Sequence, residues 1–312
     1  MRAAVLREYG ATPEVAEFDP PTAGPGQVVV DVAAAGLHHA DRLKASGTFY
    51  LSRPPLPSVV GGDGVGRLPS GARVFFDAPV PPFGGLAEQT LVDADALIEV
   101  PDGVDDVLAA GLANTGIAAW LALSWRADLA QGETVLVLGA TGALGSVAVQ
   151  AAKPLGAGCV VAADLGAALR RSPPRGADAE VALDGDVDDI AAAIADATEG
   201  GPDVIIDALW GLPALAAMRA ARHGARLVQL GQVAATEVVL PAALPRAKAL
   251  DIRGFAYVHA PMPIRRRAYR DMLARAAVGD LLVDIERVAL VDIAAAWKRQ
   301  ARGAGVKLVV EL

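Results

Sequence analysis

The spacing of apolar positions changes twice along the chain. Over residues 1–100, short apolar runs alternate with proline and glycine turns. Residues 1–6 read as a strand, and residues 27–35 as a second strand behind the turn residues Pro21 to Gly26. The polar segment 38–47 reads as a short helix or loop. The glycine-dense Gly61-Gly62-Asp63-Gly64-Val65-Gly66 reads as a strand start that needs unusual backbone angles. Residues 73–76 and 86–92 are further strand candidates. From residue 105 the period becomes helical: 107–123 is an expected helix, with a break at Asn114-Thr115-Gly116. From residue 134, strands and helices alternate. Strands are expected at 134–138, 159–163, 180–183, 203–208 and 225–230. Helices are expected at 143–153, 166–171, 187–197 and 212–222. That alternation implies a parallel sheet. Apolar stretches at 238–240 and 249–254 follow, then a long helix at 262–279, a strand at 285–289, a helix at 291–301 and a closing strand at 307–312.

The expected fold is therefore α/β. A doubly wound parallel sheet of the Rossmann type is preceded by an irregular β-rich domain, which the C-terminal segment completes. The expected boundaries are 1–112 with 256–312 for the β-rich domain and 113–255 for the doubly wound one.

Composition narrows this picture. With 312 residues the prior is about two domains. Hydrophobic residues make up 53% but aromatics only 4%, so alanine, valine and leucine must fill the core. The net charge of −8 argues against a nucleic-acid partner. The densest basic cluster, Arg265-Arg266-Arg267, reads as a solvated helix start. Cys159 is the only cysteine, which excludes a disulfide within the chain and suits a reducing, cytoplasmic compartment. The N-terminal stretch lacks a long apolar run, because Arg7, Glu8 and Pro13 interrupt it, so no leader is expected. No stretch is expected to reach the ~20 apolar residues of a membrane span, so no membrane partner is expected.

The candidate chemistry begins at Gly139-Ala140-Thr141-Gly142-Ala143-Leu144-Gly145. It follows the apolar run 134–138 and opens the helix 143–153. In that context a glycine turn lets backbone approach a pyrophosphate, and the helix start offers free N–H groups and a positive dipole end. Gly145 is expected to let the helix pack tightly on the strand. Ala140 stands where the dinucleotide pattern has its first glycine.

With these residues in view, the chain resembles the medium-chain dehydrogenase/reductase superfamily, in its zinc-independent quinone oxidoreductase branch. The likeness runs through Met1-Arg2-Ala3-Ala4-Val5, Pro25 to Val30, Ala35-Gly36-Leu37-His38-His39-Ala40-Asp41, 57–66, 114–123, 132–150 and Val306-Lys307-Leu308-Val309-Val310. The resemblance implies a GroES-like β-rich catalytic domain, a nicotinamide dinucleotide, a small-molecule acceptor and a homodimer. The dimer would form through the sheet edge near 238–254. The implied acceptor is a quinone or an α,β-unsaturated carbonyl. Reduction of simple carbonyls or imines is the alternative, and a non-catalytic nucleotide-binding protein is the rival from another class.

Metal chemistry tests that branch. At the positions of the zinc ligands in metal-dependent relatives this chain carries His38, Gly62 and, near the third, Asn114. Gly62 has no side chain, an asparagine amide is a poor zinc ligand, and one cysteine cannot build a four-cysteine lobe. No zinc is expected, with His38 and Asp63 the pair that comes nearest to a ligand set. The acid about 20 residues past the glycine turn is Asp164, at the end of the next strand. It would accept ribose hydroxyls and repel a 2′-phosphate, which makes NADH the preferred cofactor. NADPH is the alternative, since many members of the branch use it and Arg170 and Arg171 lie near.

The remaining site residues follow from the resemblance. His38 is the expected hydrogen-bond donor to the acceptor oxygen, Asp41 orients its loop, and Asn114 touches nicotinamide or substrate. The expected cofactor-binding residues are Thr115, Gly139, Ala140, Thr141, Gly142, Ala143, Leu144, Gly145, Asp164, Leu209, Gly231 and Gln232. Phe49, Tyr50, Trp210, Phe255 and Tyr257 are the expected walls of the substrate pocket.

Overall fold

The computed structural model describes residues 1–303 and 305–312. In chain order it forms strands β1 (Arg2–Leu6), β2 (Glu14–Glu17) and β3 (Gln27–Gly36), helix α1 (His39–Ala45), then β4 (Ser58–Val59), β5 (Asp63–Arg67), β6 (Arg73–Asp77), β7 (Gln89–Asp93) and β8 (Ile98–Glu99). Helix α2 (Asp106–Leu121) leads into β9 (Thr134–Leu138), α3 (Ala143–Ala152), β10 (Cys159–Asp164), α4 (Gly166–Arg171), β11 (Ala179–Ala182), α5 (Val187–Ala197), β12 (Val204–Asp207), α6 (Gly211–Ala220) and β13 (Arg226–Gln229). The chain ends with α7 (Ala243–Lys248), β14 (Asp251–Gly254), α8 (Met262–Ala277), β15 (Ile285–Ala289), α9 (Ile293–Ala301) and β16 (Lys307–Glu311).

The chain divides into two compact units: Met1–Asn114 with Met262–Leu312, and Thr115–Pro261. The first is built on a mostly antiparallel seven-stranded sheet. Its order is β15-β16-β3-β5-β6-β8, with β7 also paired to β3, beside a three-stranded sheet β2-β1-β4. The C-terminal strand β16 lies antiparallel on β3, pairing Val310 with Ala35, so the end of the chain completes this sheet. Its core holds Val30, Leu37, Phe76, Leu86, Trp297, Leu308 and Val310. Each such side chain contributes roughly 1.5–3 kcal/mol on full burial. Helix α8 is tied down by the buried Tyr269, whose hydroxyl donates to Ala109 O of α2 at 2.9 Å.

The second unit is a six-stranded parallel sheet of order β11-β10-β9-β12-β13-β14. All five residues of β9 are buried, as a strand covered on both faces requires. Small side chains do much of the packing: Ala214, Ala216, Ala217 and Ala220 of α6 are all buried.

Three sequence expectations are corrected. No break occurs at Asn114-Thr115-Gly116; α2 runs through them and continues as a wider π turn over Ala122–Ala127. These are poor helix formers, but a buried helix gains more from packing than propensity removes. The combined run Asp106–Ala127 is also long and apolar enough to cross a membrane, contrary to the expectation that no stretch would be. Its most apolar window is 78% buried within the protein, as in a core helix. Finally, no strand forms at 238–240, where Val239 is 87% exposed. Pro241 lacks the N–H that a ladder would need.

Candidate functional site

In the first unit, α1 starts at His38, whose backbone N–H donates to Asp41 Oδ2 at 2.8 Å. Asp41 is thus the acid at the third helical position, reaching back to the helix start. This bond fixes the segment that carries the His38 ring. The ring sits between two charged groups. Its Nε2 is 2.9 Å from Asp63 Oδ1, and its Nδ1 is 3.0 Å from Lys307 Nζ. Lys307 also donates to Leu37 O at 3.2 Å. Lys307 Nζ also lies 3.4 Å from Nε2, so the ammonium sits across both ring nitrogens, while the Asp63 carboxylate, which has acceptors only, accepts from Nε2–H. Asp63, His38 and Lys307 are 0%, 7% and 4% exposed. Burial holds the Lys307 amine down at about 8, against the opposing pull of the Asp63 and Asp41 carboxylates. Gly36 makes room for the group: a Cβ there would lie 2.7 Å from His38 Nε2 and 3.0 Å from Lys307 Nζ.

The unit also contains a cavity of about 460 Å3, lined by Asp41, Lys44, Arg53, Val60, Gly62 and the prolines around Pro81, among others; His38, Asp63 and Lys307 are not in its lining. None of the five expected pocket residues lines it. Phe49 lies under Lys44, whose Nζ is 5.4 Å from the ring centroid, and Tyr50 is 70% exposed. In the other unit, Phe255 and Tyr257 are buried, with Phe255 packed against Trp125. Asn114 and Thr115 both sit inside α2.

In the second unit, β9 ends at Gly139, whose φ of +78° favours glycine. Gly145 is held by a closer constraint, since a Cβ there would stand 2.1 Å from Gly139 O. The first backbone bond of α3 runs from Ser146 N–H to Gly142 O at 2.8 Å. The N–H groups of Ala143, Leu144 and Gly145 precede it and have no partner within the helix. The turn is thus a cradle of free donors at a positive dipole end, matched to an anion. Ala140 is fully buried within it.

Asp164 ends β10 and braces this turn. Its Oδ2 accepts from Thr141 N at 3.0 Å and Thr141 Oγ1 at 2.6 Å, and its Oδ1 accepts from Leu165 N at 2.8 Å. The expected ribose acceptor is therefore already the anchor of the glycine turn.

The loop after β12 lies alongside. Asp207 Oδ1 accepts from Leu209 N at 2.9 Å and Trp210 N at 2.8 Å, while its Oδ2 is buried with no hydrogen bond. Desolvation pushes this carboxyl up to about 6, against the pull of the two N–H donors. Trp210 has φ 60° and ψ −166°. That region belongs to glycine, and a non-glycine residue there costs about 1–3 kcal/mol. The Leu209 side chain lies against the turn, 3.1 Å from where a Gly139 Cβ would be. Gly231, whose Cβ would stand 2.5 Å from Ala208 O, brings the loop after β13 onto the same backbone, with Gln232 next to it.

The structure thus joins His38 with Asp41, and the glycine turn with Asp164 and Leu209. Three participants were not chosen from sequence. Lys307 had a visible signal, a lone cation in an apolar closing strand. Asp63 stood out beside its glycines and, with His38, as the pair nearest to a metal-ligand set, and Asp207 only as the acid closing a buried strand.

Comparison with known proteins follows from this geometry. The family model described as zinc-binding dehydrogenase matches residues 143–277. Quinone oxidoreductase-like protein 2 of Mus musculus is 31% identical over 265 residues, covering 81% of this chain and 74% of that protein. A mycocerosic acid synthase-like polyketide synthase of Mycobacterium tuberculosis is 30% identical over 231 residues. That match takes in 71% of this chain but only 11% of the much longer relative. Among solved structures, the quinone oxidoreductase from Thermus thermophilus, determined also in complex with NADPH, is 30% identical. It covers 100% of both chains with a TM-score of 0.82.

The zinc in the family description finds no matching ligand set. Among the described residues, no three His, Cys, Asp or Glu side chains are grouped to hold a metal. His38 Nδ1 faces an ammonium, which a metal ion would have to displace, and Gly62 offers no side chain.

Proposed function

The chain belongs to the medium-chain dehydrogenase/reductase superfamily, in its quinone oxidoreductase-like branch, and from that premise we propose that it reduces a quinone or an α,β-unsaturated carbonyl with NADH or NADPH, without zinc. The observation that carries the reading is the turn from Gly139 to Gly145, where helix-start N–H groups and a glycine that admits no Cβ suit a pyrophosphate. Ala143, Leu144 and Gly145 would hold the pyrophosphate, and Asp164 and Thr141 would keep the turn in shape. Leu209, Gly231, Gln232 and Thr115 complete the proposed cofactor contacts. When bound, a reduced nicotinamide supplies the hydride.

The chain's own part is to manage charge on the acceptor oxygen. A hydrogen-bond donor aimed at that oxygen lowers the barrier. His38 is the proposed donor. Its Nε2–H is held by Asp63, so donation exchanges the Asp63 bond for one to the acceptor, with the Lys307 ammonium beside the ring. Asp41 holds the loop, and Asn114 is proposed to touch the acceptor or the nicotinamide. The cavity beside Asp41 and Lys44 is proposed as the acceptor's place in this unit.

NADH is proposed as the preferred cofactor. The Asp164 carboxylate would oppose a 2′-phosphate by ~1–4 kcal/mol at ~4 Å. The NADPH complex of the Thermus thermophilus relative makes this the point most open to test. The same reading carries a cytoplasmic homodimer paired through β14, the last strand of its sheet.

Titrating NADH and NADPH separately against a panel of quinones and enals, followed by nicotinamide absorbance, tests the reading. Turnover with at least one acceptor, lost in His38→Ala, is expected. Tight nucleotide binding with no turnover above that variant would favour the non-catalytic alternative. A strong NADPH preference would overturn the role given to Asp164.

A further inference from the structure

Trp210 occupies backbone that a tryptophan does not choose. Its φ of 60° with ψ of −166° lies in territory open essentially to glycine. The next residue, Gly211, has φ +68° and would have accommodated the turn alone. The strain is held in place by several bonds. Asp207 Oδ1 takes the N–H of Leu209 and of Trp210. Leu209 O accepts from Ala234 N at 2.9 Å, which ties the loop to the one after β13. Gly211 is closed in from the other side, since a Cβ there would stand 2.9 Å from Ala235 Cβ.

The location of this strain matters. β12 pairs with β9 so that Asp207 stands opposite Leu138, the residue before the glycine turn. From β9 the sheet runs one way through β10 and β11 and the other way through β12 and β13. The carboxyl ends of β9 and β12 therefore flank the switch point, outside which ligands of open parallel sheets bind. Leu209 touches the turn itself. The Trp210 side chain packs partly onto the apolar cluster beneath and is left half-buried. A large flat ring, held by strained backbone beside an anion cradle, is placed to contact what the cradle binds.

We propose that the Trp210 indole is a wall of the dinucleotide site, and that Asp207 is the positioning residue that holds it there in a glycine conformation. The inference rests on the reading that a nicotinamide dinucleotide binds this unit. It adds an affinity-determining contact that stability alone would not select.

Three substitutions separate the parts. Trp210→Ala removes the ring and keeps the strain. Trp210→Gly removes both. Trp210→Phe keeps a flat ring. Dissociation constants for NADPH and NADH, read from nicotinamide fluorescence, are expected to weaken about tenfold in the Ala and Gly variants and to stay within about threefold in Trp210→Phe. The unliganded Gly variant is expected to melt about 3 °C above the Ala variant. Wild-type affinity in the Ala and Gly variants would overturn the wall. A Gly variant no more stable than the Ala variant would overturn the stored strain. Failure of the wild type to bind either dinucleotide would instead remove the premise, and the proposal with it.

Discussion

Asp63 and Asp207 are both fully buried, and each leaves its Oδ2 without a hydrogen bond. They differ in what offsets the charge. Asp63 accepts from His38 Nε2 at 2.9 Å, and the Lys307 ammonium lies against both nitrogens of that ring at 3.0 and 3.4 Å, so a cation stands beside the buried acid. Asp207 has two backbone N–H donors and no cation. Its carboxyl accordingly rises to about 6, while in the triad it is the Lys307 amine that falls, to about 8. One buried acid is neutralised by a partner brought from the far end of the chain. The other remains a titrating group beside the glycine turn.

The comparison breaks most visibly if its cation is removed. Lys307→Met leaves the Asp63 charge buried with only a neutral imidazole against it. Losing one partner of a buried pair costs about 3–5 kcal/mol. Denaturant unfolding of the variant is expected to show a loss of that order. The double variant Asp63→Asn/Lys307→Met should recover a good part of it, because no charge then remains. A single variant as stable as the wild type would mean that the triad is not coupled.

For Asp207 the lever is pH. Its folded value of about 6 lies above the usual carboxyl range, so the native state binds the proton more tightly than the unfolded chain. Its contribution is fully present below pH ~4 and is lost as pH rises through about 6. That loss is on the order of 2–3 kcal/mol. Asp207→Asn cannot titrate. The stability of Asp207→Asn relative to wild type is therefore expected to climb between pH 4 and 7 by about that amount, read from paired urea titrations. A pH-independent difference would show that the buried acid is not the cause.

Much of the second unit was legible in the sequence, because its signals are local. The apolar run 134–138, the glycines after it and the alternation beyond it all act within a few residues. They returned β9, α3 and β10 nearly to the residue. The triad was not legible as a set. Its members lie 25 and 269 positions apart, and nothing local marks a lysine as facing a histidine. Trp210 was chosen as a pocket wall from residue type. Its left-handed backbone could not be read, since Gly211 beside it is the residue that turn rules select. The failed break at Asn114-Thr115-Gly116 has the opposite cause, since local propensity spoke clearly there and burial overrode it.

A smaller effect tests the cradle on which Asp207 borders. Gly145→Ala would put a Cβ 2.1 Å from Gly139 O, on backbone that cannot step aside cheaply. Overpacking of this kind costs about 1–3 kcal/mol. The turn would have to open, so a nucleotide affinity at least about tenfold weaker is expected by the same fluorescence titration. An unchanged affinity would mean that the pyrophosphate is not held there.

The smallest effect isolates burial itself. Asp186 repeats the hydrogen bonds of Asp207: one oxygen accepts from Asp188 N at 2.9 Å and Asp189 N at 3.0 Å, capping α5. The difference is exposure, since Asp186 stands in solvent and Asp207 does not. An exposed cap contributes about 1 kcal/mol, so Asp186→Ala should lose that much at pH 7. Asp186→Asn, which keeps the acceptor, should lose only a few tenths by the same principle. Unlike Asp207→Asn, neither variant should reproduce the pH-dependent climb. The two acids share backbone N–H donors two and three residues on, although Asp186 caps a helix and Asp207 closes a strand. If Asp186→Asn did reproduce that climb, these hydrogen bonds rather than desolvation would account for both.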